Sequence, residues 1–199
     1  MPRFDDYLLE VQRRNGLQPI PLIRAWTHPE IRAVEAALRT ALTKSKIINS
    51  AIPNFAGISN QAKGNRAADY FVATVPRHLP APSRIKAAKG AGYPDRIFAV
   101  GPVGYCMEMK ATANWKDGDG NRRVLTSSPD KMRELVNSGQ IGNPPAHLVC
   151  TVLYGKANGL VTGLRLDFLE PDSIVNIRLE ASTSQKLLTQ GQQHKVTFP

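Results

Sequence analysis

Arg96-Ile97-Phe98-Ala99-Val100-Gly101-Pro102-Val103-Gly104-Tyr105-Cys106-Met107-Glu108-Met109-Lys110-Ala111-Thr112 reads as two apolar runs around turn chemistry. Arg96–Val100 is a predicted short strand, 101–104 a turn, and Tyr105–Thr112 a second strand, so 95–112 reads as a β-hairpin. Side chains alternate along a strand, which puts Glu108 and Lys110 on one face and Met109 on the other. Cys106 shares the face of Glu108 by the same parity, but nothing in the sequence pairs it with a histidine, and it is read as packing. The hairpin partner brings Asp95 beside Glu108. Two carboxylates and an ammonium in an apolar strand are costly to bury unless they are paired or hold a metal.

Outward from the hairpin, Thr27-His28-Pro29-Glu30 has the form of a capping box. The helix it opens is predicted to run to about Lys46, with Ile31, Val34, Leu38 and Leu42 as its apolar stripe. Residues 55–61 read as a loop, and a second helix begins near Gln61–Asn65 and ends before Pro76. The proline- and glycine-punctuated segment 76–94 reads as irregular and basic. Ser128 and Pro129 are the N-cap and first position of a helix to about Asn137, which Gly139 ends. His147–Tyr154 and Leu160–Leu169 are predicted strands joined by a Gly155–Gly159 turn. Ser173–Leu179 reads as a further strand and Ser182–Leu188 as a short helix. This order of elements predicts an α/β chain, a central mixed β-sheet flanked by helices, and 199 residues suit one domain.

The composition narrows the function classes. A 42% hydrophobic, 21% charged chain can form a real core. No apolar run approaches the ~20 residues of a membrane span, and the first residues show no signal-peptide core, so a cytoplasmic protein without a membrane partner is expected. Two cysteines exclude a disulfide framework and a four-cysteine zinc site. The net charge is +10, and residues 51–100 carry seven lysines and arginines against two acids. A locally basic surface points to a polyanion such as a nucleic acid.

Asp95 and Glu108, with the backbone carbonyl of Met109, form an all-oxygen donor set of the kind Mg²⁺ takes while keeping several waters. Lys110 is then placed to position or deprotonate a water, or to stabilise charge on a phosphate. Pro94-Asp95…Glu108-Met109-Lys110 resembles the PD-(D/E)XK nuclease motif, and the chain around it is similar to a type II restriction endonuclease. The motif covers 94–112, and the looser likeness in order of elements extends over roughly 60–170. The resemblance implies a restriction-endonuclease-like core, with 1–60 a helical N-terminal part, 61–170 the catalytic core and 171–199 a C-terminal extension. It implies Mg²⁺ held by Asp95 and Glu108, water activation assisted by Lys110, no organic cofactor, and double-stranded DNA as substrate. Gly64-Asn65-Arg66-Ala67-Ala68-Asp69 resembles the family's Gly-Asn…Glu helix, with Asp69 one methylene shorter than the usual Glu. Glu35, inside an apolar stripe, competes for that third-carboxylate role, or pairs with Arg32 or Arg39.

DNA contacts are expected from the turn after the second strand: Trp115, Lys116, Asn121, Arg122 and Arg123, since Arg and Asn can read base edges bidentately. Asp117-Gly118-Asp119-Gly120-Asn121 is not a calcium loop, because Arg122 and Ser128 stand where an EF-hand needs Gly and Glu. Ser127, Ser128 and Lys131 open a helix that can face a phosphate, or simply cap it. Asn65 and Arg66 belong to a second polar, basic stretch. Three functions follow: a restriction endonuclease working as a homodimer on a palindromic site, a junction-resolving or repair nuclease, or a non-enzymatic basic DNA-binding module. About 90 residues on either side of the motif favour the first, since recognition and dimerisation need surface beyond a minimal core.

Overall fold

Phe4, Tyr7, Leu8 and Val11 recur at helical spacing, and Phe4–Arg14 forms helix α1, with Asp5 and Asp6 in its first turn and Arg13 and Arg14 in its last. The computed structural model describes residues 2–90, 92–114, 129–179, 185–190 and 194–199. A helical N-terminal part over 1–60 is expected from the sequence, without a separate helix over 4–14. The capping box does form: Glu30 N–H donates to Thr27 Oγ1 at 3.4 Å and Thr27 N–H donates to Glu30 Oε2 at 3.0 Å. Helix α2, His28–Ser45, follows and buries Ile31, Val34, Ala37, Leu38, Ala41 and Leu42. Ser59 caps α3, Asn60–Thr74, which buries Ala67 and Phe71 and tightens into a 3₁₀ turn at Val75–His78.

The predicted hairpin is β2 (Arg96–Val100) and β3 (Val103–Thr112), preceded by β1 (Arg84–Ala87) in the segment read as irregular. Val100 pairs with Val103, so the turn is shorter than expected, Gly101 and Pro102 alone, with Gly101 at φ 66. Gly104 belongs to β3. A Cβ there would sit 2.1 Å from the Gln140 carbonyl oxygen, so only glycine allows that approach. Helix α4, Pro129–Asn137, leads to β4 (His147–Tyr154) and β5 (Val161–Leu169). β6 (Ile174–Leu179) and β7 (Gln185–Gln190) form a separate two-stranded sheet, and β8 (His194–Phe198) pairs with β5. The short helix expected over 182–188 is thus corrected at 185–188, which belong to strand β7, while 182–184 lie outside the described residues. Seven residues cannot sustain a helix alone, whereas β6 offers a ladder, with Ile177 opposite Leu187.

The main sheet has the order β1-β2-β3-β4-β5-β8. β3 and β4 run parallel, and the other pairs are antiparallel. Parallel neighbours need a crossover, and α4 lies within it. The chain is therefore α/β, with a mixed six-stranded sheet flanked by helices. The expected C-terminal extension supplies the edge strand β8. One face of the sheet (Phe98, Met107, Leu148, Cys150, Leu166) packs with α2 and α3. The other (Ile97, Cys106, Val149, Leu169) packs with α1 and α4. The two cysteines are therefore buried on opposite faces. Among the described residues no helix is long and apolar enough to cross a membrane.

Candidate active site

Asp95 is the last residue before β2, where the ladder with β3 opens at Arg96 opposite Met107. Two residues beyond Met107, the Met109 N–H donates instead to Asp95 Oδ2 at 3.3 Å. The Asp95 carbonyl accepts from the Ala88 N–H at 3.1 Å, which ties the start of β2 to the end of β1. The hairpin thus brings Asp95 to the flank of Glu108 and Met109, as the parity argument expects.

Glu108 is 3% exposed, on the α1/α4 face of β3. Its Oε1 accepts from Lys110 Nζ at 2.5 Å. Its Oε2 is buried with no hydrogen-bond partner. Burial pushes the Glu108 carboxyl up to about 7, Lys110 pulls it down, and Asp95 adds to the rise. Desolvation outweighs the ion pair because the Lys110 side chain is 21% exposed and shares its charge with water. The described residues gather no group of three or more His, Cys, Asp or Glu side chains that could hold a metal ion. Two carboxylates with an orphaned buried oxygen and a long hydrogen bond still fit a hard cation that keeps most of its waters.

The segment before Asp95 is held from two sides. Lys131, on α4, is only 7% exposed and donates to the carbonyls of Gly90 (2.8 Å), Gly92 (2.7 Å) and Pro94 (2.8 Å). Burial lowers its ammonium pKa, and Asp95 and Glu108 oppose the shift. Lys131 was expected to face a phosphate, but its three donors are already spent inside the protein. Tyr93 lies buried against His147, with its hydroxyl 2.6 Å from Nδ1 and the rings stacked at 5.6 Å. His147 Nε2 is 2.6 Å from the Leu22 carbonyl, which can only accept, so Nε2 carries the proton and Nδ1 accepts from Tyr93. Burial keeps His147 neutral, its pKa lowered to about 4.

Along the same face, Glu108 stands opposite Val149, which stands opposite Asp167. Asp167 is 1% exposed, its Oδ1 accepts from Arg165 Nη2 at 2.6 Å and Nε at 3.0 Å, and its Oδ2 is buried without a hydrogen-bond partner. Sequence reading missed this pair and the Lys131 clamp. The signal for Asp167 was an acid within an apolar strand, the same signal that singled out Glu108.

Asp69 is not brought to the carboxylates. It is exposed on α3, whose Ala67 and Phe71 pack on the opposite face of the sheet. Asn65 and Arg66 lie on the same helix, where Gly64 packs beside the Ala111 carbonyl near the end of β3. Glu35 pairs with Arg39 at 3.0 Å and is also remote from the hairpin acids. Cys106 is fully buried, and burial pushes its thiol pKa up, which suits packing and not nucleophilic attack. Trp115, Lys116, Asn121, Arg122, Arg123 and Ser127 lie outside the described residues. The chain matches no known protein family, no curated protein and no solved structure.

Proposed function

We propose that the chain is a Mg²⁺-dependent endodeoxyribonuclease of the type II restriction class, built on a restriction-endonuclease-like core and cutting double-stranded DNA as a homodimer. The observation that carries this reading is the Asp95–Glu108–Lys110 cluster, with its buried, unsatisfied Glu108 Oε2. An apolar sheet retains such an oxygen at a cost of about 1–3 kcal/mol, which a functional ligand would offset. Asp95, Glu108 and the Met109 carbonyl would hold Mg²⁺, which when bound polarises a phosphodiester oxygen and acidifies a water. Asp95 and Glu108 supply the negative charge that holds the ion. Lys110 presents N–H donors at the same point, where they can orient a water or meet charge developing on phosphate. The +10 chain supports a polyanionic partner, and two free, buried cysteines suit the reducing cytoplasm.

Plasmid DNA incubated with and without Mg²⁺ tests the reading. Discrete, Mg²⁺-dependent fragments are expected from the wild type and none from Asp95→Ala, which keeps its DNA affinity. Cutting only at branched DNA would move the assignment to a junction-resolving enzyme. Undiminished cutting by Asp95→Ala would remove the proposed metal site.

A further inference from the structure

The acid at position 95 belongs to a chain segment with little structure of its own. Gly90 and Gly92 both adopt positive φ, at 89 and 84, and among the described residues β1 ends at Ala87 and β2 begins at Arg96. Ala88 N–H holds the Asp95 carbonyl and Tyr93 is buried against His147, but the carbonyls between them are held from about forty residues away. The Lys131 ammonium has three N–H donors, and it spends them on the carbonyls of Gly90, Gly92 and Pro94. The last of these carbonyls belongs to the peptide that leads directly into Asp95. We propose that Lys131 is a positioning residue that sets the Asp95 carboxylate against Met109 N–H and Glu108.

A tetrahedral ammonium suits three converging carbonyls. The planar guanidinium of arginine directs its donors in a flat fork and cannot reproduce that convergence from the same Cα. Methionine keeps the length of the side chain and supplies no donor. The positive charge has a second use, since it lies close enough to feel Asp95 and Glu108 and offsets their mutual repulsion. One lysine thereby fixes the backbone that carries one acid and eases the approach of the other. The proposal rests on the nuclease reading only for its purpose; the geometric effect on Asp95 stands apart from it.

Met109 N–H donates to the Asp95 carboxylate. Its hydrogen-exchange rate therefore reports where that carboxylate sits. In Lys131→Met, exchange at Met109 should quicken by roughly 10-fold or more and match Asp95→Ala, while amides in the middle of β4 and β5 keep their wild-type rates. A merely structural lysine would instead loosen all of these amides together, or none. Mn²⁺ titration without DNA gives a second readout. Lys131→Met should bind roughly 10- to 100-fold more weakly than wild type, the usual scale for removing a group that orients a ligand. Lys131→Arg should not restore either property. If Lys131→Met does not fold, Lys131→Gln, with two donors left, is read in the same way. Wild-type exchange at Met109 in a folded variant lacking the ammonium overturns the proposal. If the wild type binds no Mn²⁺ while the exchange result holds, the nuclease reading fails and the positioning role survives.

Discussion

Replacing Glu108 by Gln should stabilise the metal-free protein at about pH 8 and leave it almost unchanged at about pH 4. The Glu108 carboxyl rises from its ordinary value of 4.5 to about 7 in the folded chain. The folded state therefore holds this proton more tightly than the unfolded state. Its contribution is complete below the unfolded value and is lost as pH rises through about 7. At about 1.4 kcal/mol per pH unit, the full loss approaches roughly 3 kcal/mol. Gln has the same shape, does not titrate and avoids that loss, although it weakens the contact with Lys110. For a chain of this size the difference corresponds to a melting temperature roughly 6–12 °C higher for the variant at about pH 8. His147 titrates as well, with its pKa lowered to about 4, and adds stability as pH rises, but it does so equally in both proteins. The difference between the two unfolding curves, measured by urea at several pH values from about 4 to 8, isolates Glu108. Saturating Mg²⁺ should close the gap by stabilising the wild type alone. Parallel stability profiles, or a variant less stable than wild type at about pH 8, would refute the argument that burial dominates at this carboxylate.

Lys110→Ala should bind DNA and Mg²⁺ yet cleave slower by a factor on the order of 10² in single-turnover kinetics, and an unchanged rate with weaker binding would make Lys110 a backbone anchor. DNA affinity should fall by roughly 10³–10⁵ between about 50 and 200 mM salt if six to ten phosphates are contacted, and a shallow slope in fluorescence anisotropy would argue against an extended DNA surface. Tyr93→Phe removes the donor to His147 Nδ1 and should cost about 1–3 kcal/mol in urea unfolding, because a buried acceptor is left unpaired.

The hairpin and the placing of Glu108 and Lys110 on one face were legible because they depend on local quantities: a turn signal and a period of two. The approach of Asp95 followed from the hairpin alone. Lys131 was not legible in the same way. Its acceptors are backbone carbonyls on a segment that only the docking of α4 brings near, and no residue pattern announces a carbonyl cluster. Asp69 shows the complementary failure. The helix itself was expected, but which face of the sheet a helix covers is decided by packing elsewhere, and α3, through Ala67 and Phe71, covers the face away from Glu108. Strand β7 depended on a partner strand, which the sequence of 182–188 does not itself contain. The stripe of α1 (Phe4, Tyr7, Leu8, Val11) stands in the sequence at ordinary helical spacing, without the capping signal that marks α2.

The burial of Cys106 and Cys150 on opposite faces of one sheet gives the chain two internal clocks. Neither thiol meets solvent in the folded state, so a thiol reagent can react only during an opening event. Cys106 keeps time for the layer of α1 and α4, and Cys150 for the layer of α2 and α3. Mass-resolved labelling of the two sites separates a protein whose layers lift together from one whose α1/α4 side, the side that carries Lys131 over Asp95, lifts first.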